Sequence, residues 1–139
     1  MRAPNEPVVT TVVAAGSRPG VGLTALVAWL VPGGGHALQG QVGKAAVFFG
    51  VLIGMFIIGL ACGGRLFAIQ FSDILVGLAA LSEWMVGVPR LLGLFGGLGA
   101  GSVTAATYEY GNTFLIVAGL LNTLVVLDAC DVAAGRKRA

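Results

Sequence analysis

Charged residues are scarce in this chain of 139 residues, since Asp, Glu, Lys and Arg make up only 10% of it. Soluble domains carry roughly 25%. Hydrophobic residues account for 57%, so too little polar material is present to cover a water-soluble domain of this size. The composition excludes an ordinary soluble domain and predicts that lipid surrounds most of the chain.

Side chains that could bind a metal or catalyse a reaction are also few. The single histidine, His36, cannot form a metal site alone, and Cys62 and Cys130 lack the CxxC spacing of zinc sites. Neither a Ser/His/Asp set nor an HExxH motif is evident. We therefore expect no metal, no cofactor and no enzymatic activity.

Nucleic acid and nucleotides are not predicted ligands. The net charge is only +2, and no basic patch alternates with aromatic residues. The glycine-rich stretch 33–44 fails as a phosphate loop, because Leu38 stands where the motif needs glycine. Ala45 stands where it needs Ser or Thr.

Two long apolar runs predict membrane-spanning helices. Residues 45–62 hold eighteen positions without a charge or a proline, and residues 113–127 form a second run. A helix needs about 20 apolar residues to cross the hydrocarbon core of a bilayer. Gly63, Gly64 and Arg65 then form a typical helix end.

The first apolar run, 21–31, is shorter and has two interpretations. It is either the core of a cleaved signal peptide within residues 1–37, or the start of a helix over 21–38 that bends at Pro32. The long, proline-containing lead favours the bent helix. A hairpin turn follows, and its candidate residues are Pro32, Gly35, His36, Gly40 and Lys44.

Residues 66–101 are ambiguous. A helix over 73–88 places Asp73 at one end and Glu83 near the other, which a bilayer tolerates if the carboxylates reach its surface or pair. The alternative is an interfacial or re-entrant pair of helices, because Pro89 and Arg90 interrupt the hydrophobic stretch.

The predicted fold is therefore all-α, a polytopic transmembrane bundle of about four helices over 21–38, 45–63, 73–88 and 112–130. We predict three regions: a flexible amino-terminal tail over 1–20, a transmembrane helical domain over 21–131, and a basic tail over 132–139.

The distribution of cations predicts the orientation. Four crossings leave Lys44 and Arg90 on one side and place on the other side Arg2, Arg18, Arg65, Arg136, Lys137 and Arg138. Three crossings divide the cations equally. The positive-inside rule thus favours four helices with both termini in the cytoplasm.

Small residues recur at the four-residue spacing that lets membrane helices approach closely. These faces serve either contacts within the chain or docking of a partner or second copy. The candidates are Gly50, Gly54, Gly59, Gly63, Gly93 and Gly97, with the glycine at 101 continuing the last series. Asn122 joins them, because an amide in mid-span must find a hydrogen-bond partner.

The ionisable residues at possible membrane depth suggest a second use. Asp73, Glu83, Asn122 and Asp128 are the candidates for a polar path. Asp128 and Asp131 share one helix face, either as a cation relay or as a solvated helix end. These acids lie mostly at helix ends, which makes a relay the weaker interpretation.

Two stretches resemble known families. Residues 28–36 (AWLVPGGGH), with Gly40, Gly43 and Lys44, resemble the opening of small bacterial membrane proteins related to the two-transmembrane-hairpin domain, with its P-G-x-G-H motif. Residues 108–114 (YEYGNTF), 118–122 (AGLLN) and 127–129 (LDA) resemble the closing helix of an uncharacterised bacterial family of that group. The resemblance implies the membrane topology and a bacterial source.

Together these observations predict a protein of the bacterial inner membrane with a structural or accessory role. Its expected partners are the lipid bilayer and either other membrane subunits or a second copy. The alternative is a small transporter or channel with a path along Asn122, Asp73 and Glu83.

Overall fold

A computed structural model describes residues 18–138. Most of the predicted tail over 1–20, including Arg2, lies outside the described residues, as does Ala139. Within the described part the chain is helical, and an isolated bridge joins Arg65 to Ala100. The helices are α1 (Val21–Leu30), α2 (Gly34–Leu38), α3 (Val42–Ala61), α4 (Ile74–Trp84), α5 (Val88–Phe95) and α6 (Tyr108–Ala133).

The all-α prediction is confirmed for the described residues, while the number of four helices is not. Two helices, α3 and α6, are long and apolar enough to cross a membrane. A third candidate arises if α4 and α5 count together as one broken span. The helices are thus compatible with a membrane protein of two or three spans.

Helix α6 is the centre of the fold and contacts α1, α2, α3 and α4. Helix α3 runs antiparallel to it: Gly59 near the end of α3 lies against Leu115 near the start of α6. We call the end with the α2–α3 turn the turn end, and the end with the Arg65–Ala100 bridge the bridge end. The amino end of α6 lies at the bridge end, where Asn112 Oδ1 accepts a hydrogen bond from Arg65 N at 2.8 Å.

The predicted bend at Pro32 is present, but a single helix over 21–38 is wrong, because the chain breaks there into α1 and α2. Helix α1 stops at Leu30 after about 15 Å, and α2 folds back along it. A β-carbon at Gly35 would lie 2.8 Å from the side chains of both Ala28 and Ala129. The reversal occurs where Pro32 offers no N–H and Gly33 adopts a φ of 79°.

The predicted helix over 45–63 corresponds to α3, which starts three residues earlier. Its end has the expected glycine motif: Gly63, with a φ of 82°, donates to Leu60 O, and Gly64 donates to Gly59 O. These two bonds satisfy carbonyls that a helix end leaves free.

The predicted helix over 73–88 is also wrong, because α4 ends at Trp84 and α5 leaves it at an angle of 108°. Asp73 caps α4 by accepting from Leu75 N at 3.0 Å and Val76 N at 3.3 Å. The break has a local cause, since Gly87 adopts a φ of 78° and Pro89 fixes the start of α5. Helix α5 then runs to the bridge end, where Gly93 faces Phe56 and Leu66.

The last helix is longer than the predicted 112–130. It begins at Tyr108, four residues before the predicted start, and continues to Ala133 into the predicted basic tail. A hydrophobic core near its first half joins it to α3 and to the α4–α5 break through Phe56, Leu66, Val86, Leu115 and Ala118.

Candidate functional site

The carboxyl end of α1 meets the break between α4 and α5 against the middle of α6, a region that we call the junction. A β-carbon at Gly87 would overlap Trp29 O and lie 2.8 Å from Leu30 O. A β-carbon at Gly119 would overlap Ser82 O. Only glycine lets the backbones approach this closely at these two positions.

A buried ion pair crosses the break. Glu83 on α4 is fully buried, and Arg90 on α5 is 2% exposed. Glu83 Oε2 accepts a hydrogen bond from Arg90 Nη1 and another from Phe67 N at 2.9 Å. Arg90 Nη2 donates to Phe67 O. The guanidinium carbon also lies 5.1 Å from the centre of the Trp84 ring.

This ion pair supplies hydrogen-bond partners for backbone groups that lie outside regular secondary structure. Phe67 is half-buried in an irregular segment between α3 and α4, so its N–H and C=O have no helical partner. Glu83 and Arg90 satisfy both groups. Buried charges are tolerated when they are paired and hydrogen-bonded in this way.

Side chains of the neighbouring helices satisfy the carbonyls at the end of α4. Trp29 Nε1 donates to Trp84 O at 3.0 Å. Asn122 Nδ2 donates to Met85 O at 2.6 Å and lies 3.4 Å from Ala28 O. A helix end leaves such carbonyls free, and here α1 and α6 supply the donors.

A second polar cluster lies at the turn end. His36 is fully buried, with Nδ1 3.2 Å from Gln41 Oε1 and Nε2 3.4 Å from Asp128 Oδ2. Gln39 Nε2 donates to Ala129 O at 2.7 Å. Lys137 donates to the other oxygen of Asp128. These contacts fasten the α2–α3 turn to the carboxyl end of α6.

The turn end collects most of the described cations. Arg18 lies beside Gly135, and Lys44 lies near enough to Asp128 for their charges to interact. Arg136, Lys137 and Arg138 follow α6. The expected placement of Lys44 opposite Arg18 is therefore wrong, because the chain reverses between α1 and α2 and returns to the turn end. Arg65 lies at the bridge end, opposite the side expected for it.

The described clefts are mainly apolar. One of about 490 Å³ lies beside the junction and is lined by Leu30, Pro32, Phe56 and Pro89, among others. Another of about 470 Å³ lies between α3 and α6 near the turn end. Within residues 18–138 there is no group of three or more His, Cys, Asp or Glu side chains placed to hold a metal ion.

The polar-path candidates do not form one set. Glu83 and Asn122 both lie at the junction, while Asp128 lies at the turn end and Asp73 is an exposed helix cap. Each is bonded locally rather than aimed into a shared cavity.

The glycine candidates fall into three groups. Gly59 contacts Leu115 within the chain, and Gly93 contacts Phe56 and Leu66. Gly50 and Gly54 face open space. Gly63 and Gly97 have positive φ and lie outside the helices, so their assignment to helix faces is wrong.

The predicted turn residues are spread over the α1–α2 reversal and the α2–α3 turn. Pro32 lies between α1 and α2, where the chain reverses, and Gly35 lies in α2. Gly40, between α2 and α3, has a φ of 77°. His36 points into the bundle, and Lys44 lies in the first turn of α3.

Sequence reasoning missed how the junction is assembled. Arg90 was expected to interrupt the hydrophobic stretch, not to pair with Glu83 seven residues earlier. The sequence feature that indicates the pair is the presence of opposite charges at Glu83 and Arg90, before and after the break at Gly87. The roles of Trp29, Phe67 and Gly119 had no such signal, because each depends on contacts distant in sequence.

Comparison with known proteins gives a family and no activity. No curated protein and no solved structure matches the chain. A family model described as a family of unknown function, DUF6677, matches residues 23–138. The expectation of an uncharacterised family is thereby confirmed, whereas a link to the hairpin domain and a bacterial source remain predictions. The chain belongs to the DUF6677 family of unknown function.

Proposed function

We propose that this protein is a multi-pass integral membrane protein that acts as a structural or accessory subunit, packing against a second copy or a larger membrane complex. The observation that carries the proposal is the local use of its buried polar side chains. Glu83 pairs with Arg90, and Asn122 bonds to Met85 O. Such bonds hold helices together.

The outward face of α3 supports a docking role. Gly50 and Gly54 lie one turn apart, and a β-carbon at either would meet nothing within 4 Å. Ile57 and Ile58, nearby on α3, are also exposed. Small residues at this spacing let a second membrane helix approach closely.

The placement of charge supports an orientation. Arg18, Lys44 and the cations after α6 lie at the turn end, and cytoplasmic segments of membrane proteins are enriched in Lys and Arg. We propose a bacterial inner membrane location with the turn end, and hence both chain ends, in the cytoplasm.

A small transporter or channel is the alternative. The observation in its favour is the broken helix beside a buried charged pair, since many transporters bind substrates at discontinuous helices. Two observations count against a transporter. The charges of Glu83 and Arg90 offset each other, and both side chains already hydrogen-bond to the backbone of Phe67. The adjacent cleft is lined by apolar residues.

The docking role is tested with Gly54→Ile. The larger side chain enters open space, so the chain itself can accommodate it, while a closely approaching helix cannot. We expect the native mass in a gentle detergent to fall relative to the wild type. Gly22→Ile on α1 is the matched control, because Gly22 is helical and also faces open space.

An unchanged mass for Gly54→Ile contradicts docking through this face. An equal fall for Gly22→Ile points to a general effect of added bulk and counts against the proposal as well.

A further inference from the structure

The cleft between α3 and α6 combines an apolar lining with one acidic residue, Asp128. Its walls are apolar, with Val47 and Val51 on α3 and Leu121 and Leu124 on α6. Its volume is about 470 Å³. Val47 and Leu124 are each more than half exposed, so the cleft opens outward from the bundle. Asp128 marks its end nearest the turn end.

The charge at that end is positive on balance. Lys137 hydrogen-bonds to Asp128, and this bond raises the pKa of Lys137, so the ammonium stays charged. Lys44 adds a second cation close to the same carboxylate. Arg136 and Arg138 lie beside Lys137 in sequence, with Arg136 held near Asp131 at 3.5 Å.

We propose that this cleft binds an anionic phospholipid, with one acyl chain between α3 and α6 and the phosphate near Lys44 and Lys137. An apolar cleft with a cationic mouth complements a molecule that carries hydrocarbon at one end and a negative headgroup at the other. This site goes beyond the proposed subunit role and does not depend on it.

The large cleft beside the junction does not combine an apolar lining with a cationic mouth. The residues that line the cleft beside the junction are all apolar or glycine. No cation stands among them, so nothing there selects a headgroup.

The experiment measures lipid binding by native mass spectrometry of the purified chain in detergent. The probes are dioleoyl phosphatidylglycerol and dioleoyl phosphatidylcholine, which share acyl chains and differ in net charge. We expect the wild type to retain the anionic lipid preferentially. Lys44→Gln and Lys137→Gln should each weaken its binding about fivefold, and the double variant more.

Two controls locate the site. Arg65→Gln removes a cation from the bridge end and should leave binding unchanged. Leu121→Trp fills the cleft and should reduce binding of both lipids, while Leu78→Trp, at an exposed position of α4, should not. Thermal melting shows that each variant remains folded.

Equal retention of the two lipids by the wild type overturns the proposal, as does a loss in Arg65→Gln as large as that in Lys44→Gln. Inorganic phosphate is the final probe. If it displaces the anionic lipid fully and Leu121→Trp has no effect, the site takes a simple anion and the acyl-chain assignment is wrong.

Discussion

At the scale of residues, the Glu83–Arg90 pair shows how this chain tolerates charge in an apolar setting. Both side chains are almost completely buried, and each also bonds to the backbone of Phe67. Desolvation of two charges is costly, and their mutual attraction offsets it only when further hydrogen bonds are made. Because Phe67 supplies those bonds, the pair and the irregular segment stabilise each other.

The pair can be tested by removing one or both charges. Glu83→Leu leaves Arg90 buried without its partner, which should cost about 3–5 kcal/mol. The double variant Glu83→Leu/Arg90→Leu leaves no unpaired charge and should be more stable than Glu83→Leu alone. Thermal unfolding in detergent measures both.

The control for this comparison is Glu109→Leu, which removes a carboxylate from the exposed first turn of α6 and should have little effect. If the double variant is less stable than Glu83→Leu alone, the two side chains do not act as a pair.

At the scale of elements, the fold depends on short helices that stop inside the bundle. Helix α1 ends where the α4–α5 break begins, and glycines at 87 and 119 allow the backbones to touch. The sequence predicted α3 and α6 well, because long uninterrupted apolar runs determine a helix by themselves. It failed for the course of 21–38 and 73–88: Pro32 and Pro89 mark the breaks locally, but the direction of the chain after each break depends on contacts distant in sequence.

The candidate residues likewise divide into those whose roles are local and those whose roles depend on contacts distant in sequence. A motif such as Gly63-Gly64-Arg65 is local, so its role as a helix end was predictable. The roles of Asn122 and Trp29 were not, because their acceptors, Met85 O and Trp84 O, are distant in sequence.

The close approach of α4 to α6 predicts a sharp difference between two glycines. Gly119→Ala places a methyl group on Ser82 O and should destabilise the protein by about 1–3 kcal/mol. Gly54→Ala adds the same group in open space and should be neutral or slightly stabilising, since alanine favours helix. Thermal unfolding in detergent compares them.

Equal stability of the two alanine variants contradicts this account of the α4–α6 contact. A melting temperature for Gly119→Ala that matches the wild type shows that α4 can move away from α6 at no cost.

At the scale of the whole molecule, the two ends of the bundle differ. The turn end carries the His36–Asp128 contact and most described cations, while the bridge end is closed by backbone pairing of Arg65 with Ala100. The charges along the sequence suggested an asymmetry, but counting crossings assigned Lys44 and Arg65 to the wrong ends. The reversal of α1 and α2 at Pro32 and Gly33 explains the difference.

The central claim is that buried polar groups join helices and do not form a path. Asn122→Leu tests it most directly, because Asn122 is fully buried and bonds to the end of α4. In vesicles, we expect the wild type to pass no more protons, Na⁺ or K⁺ than empty vesicles do. The variant should lose only about 0.6–2 kcal/mol of stability in detergent. An ion flux in the wild type that disappears in a folded Asn122→Leu variant contradicts the claim.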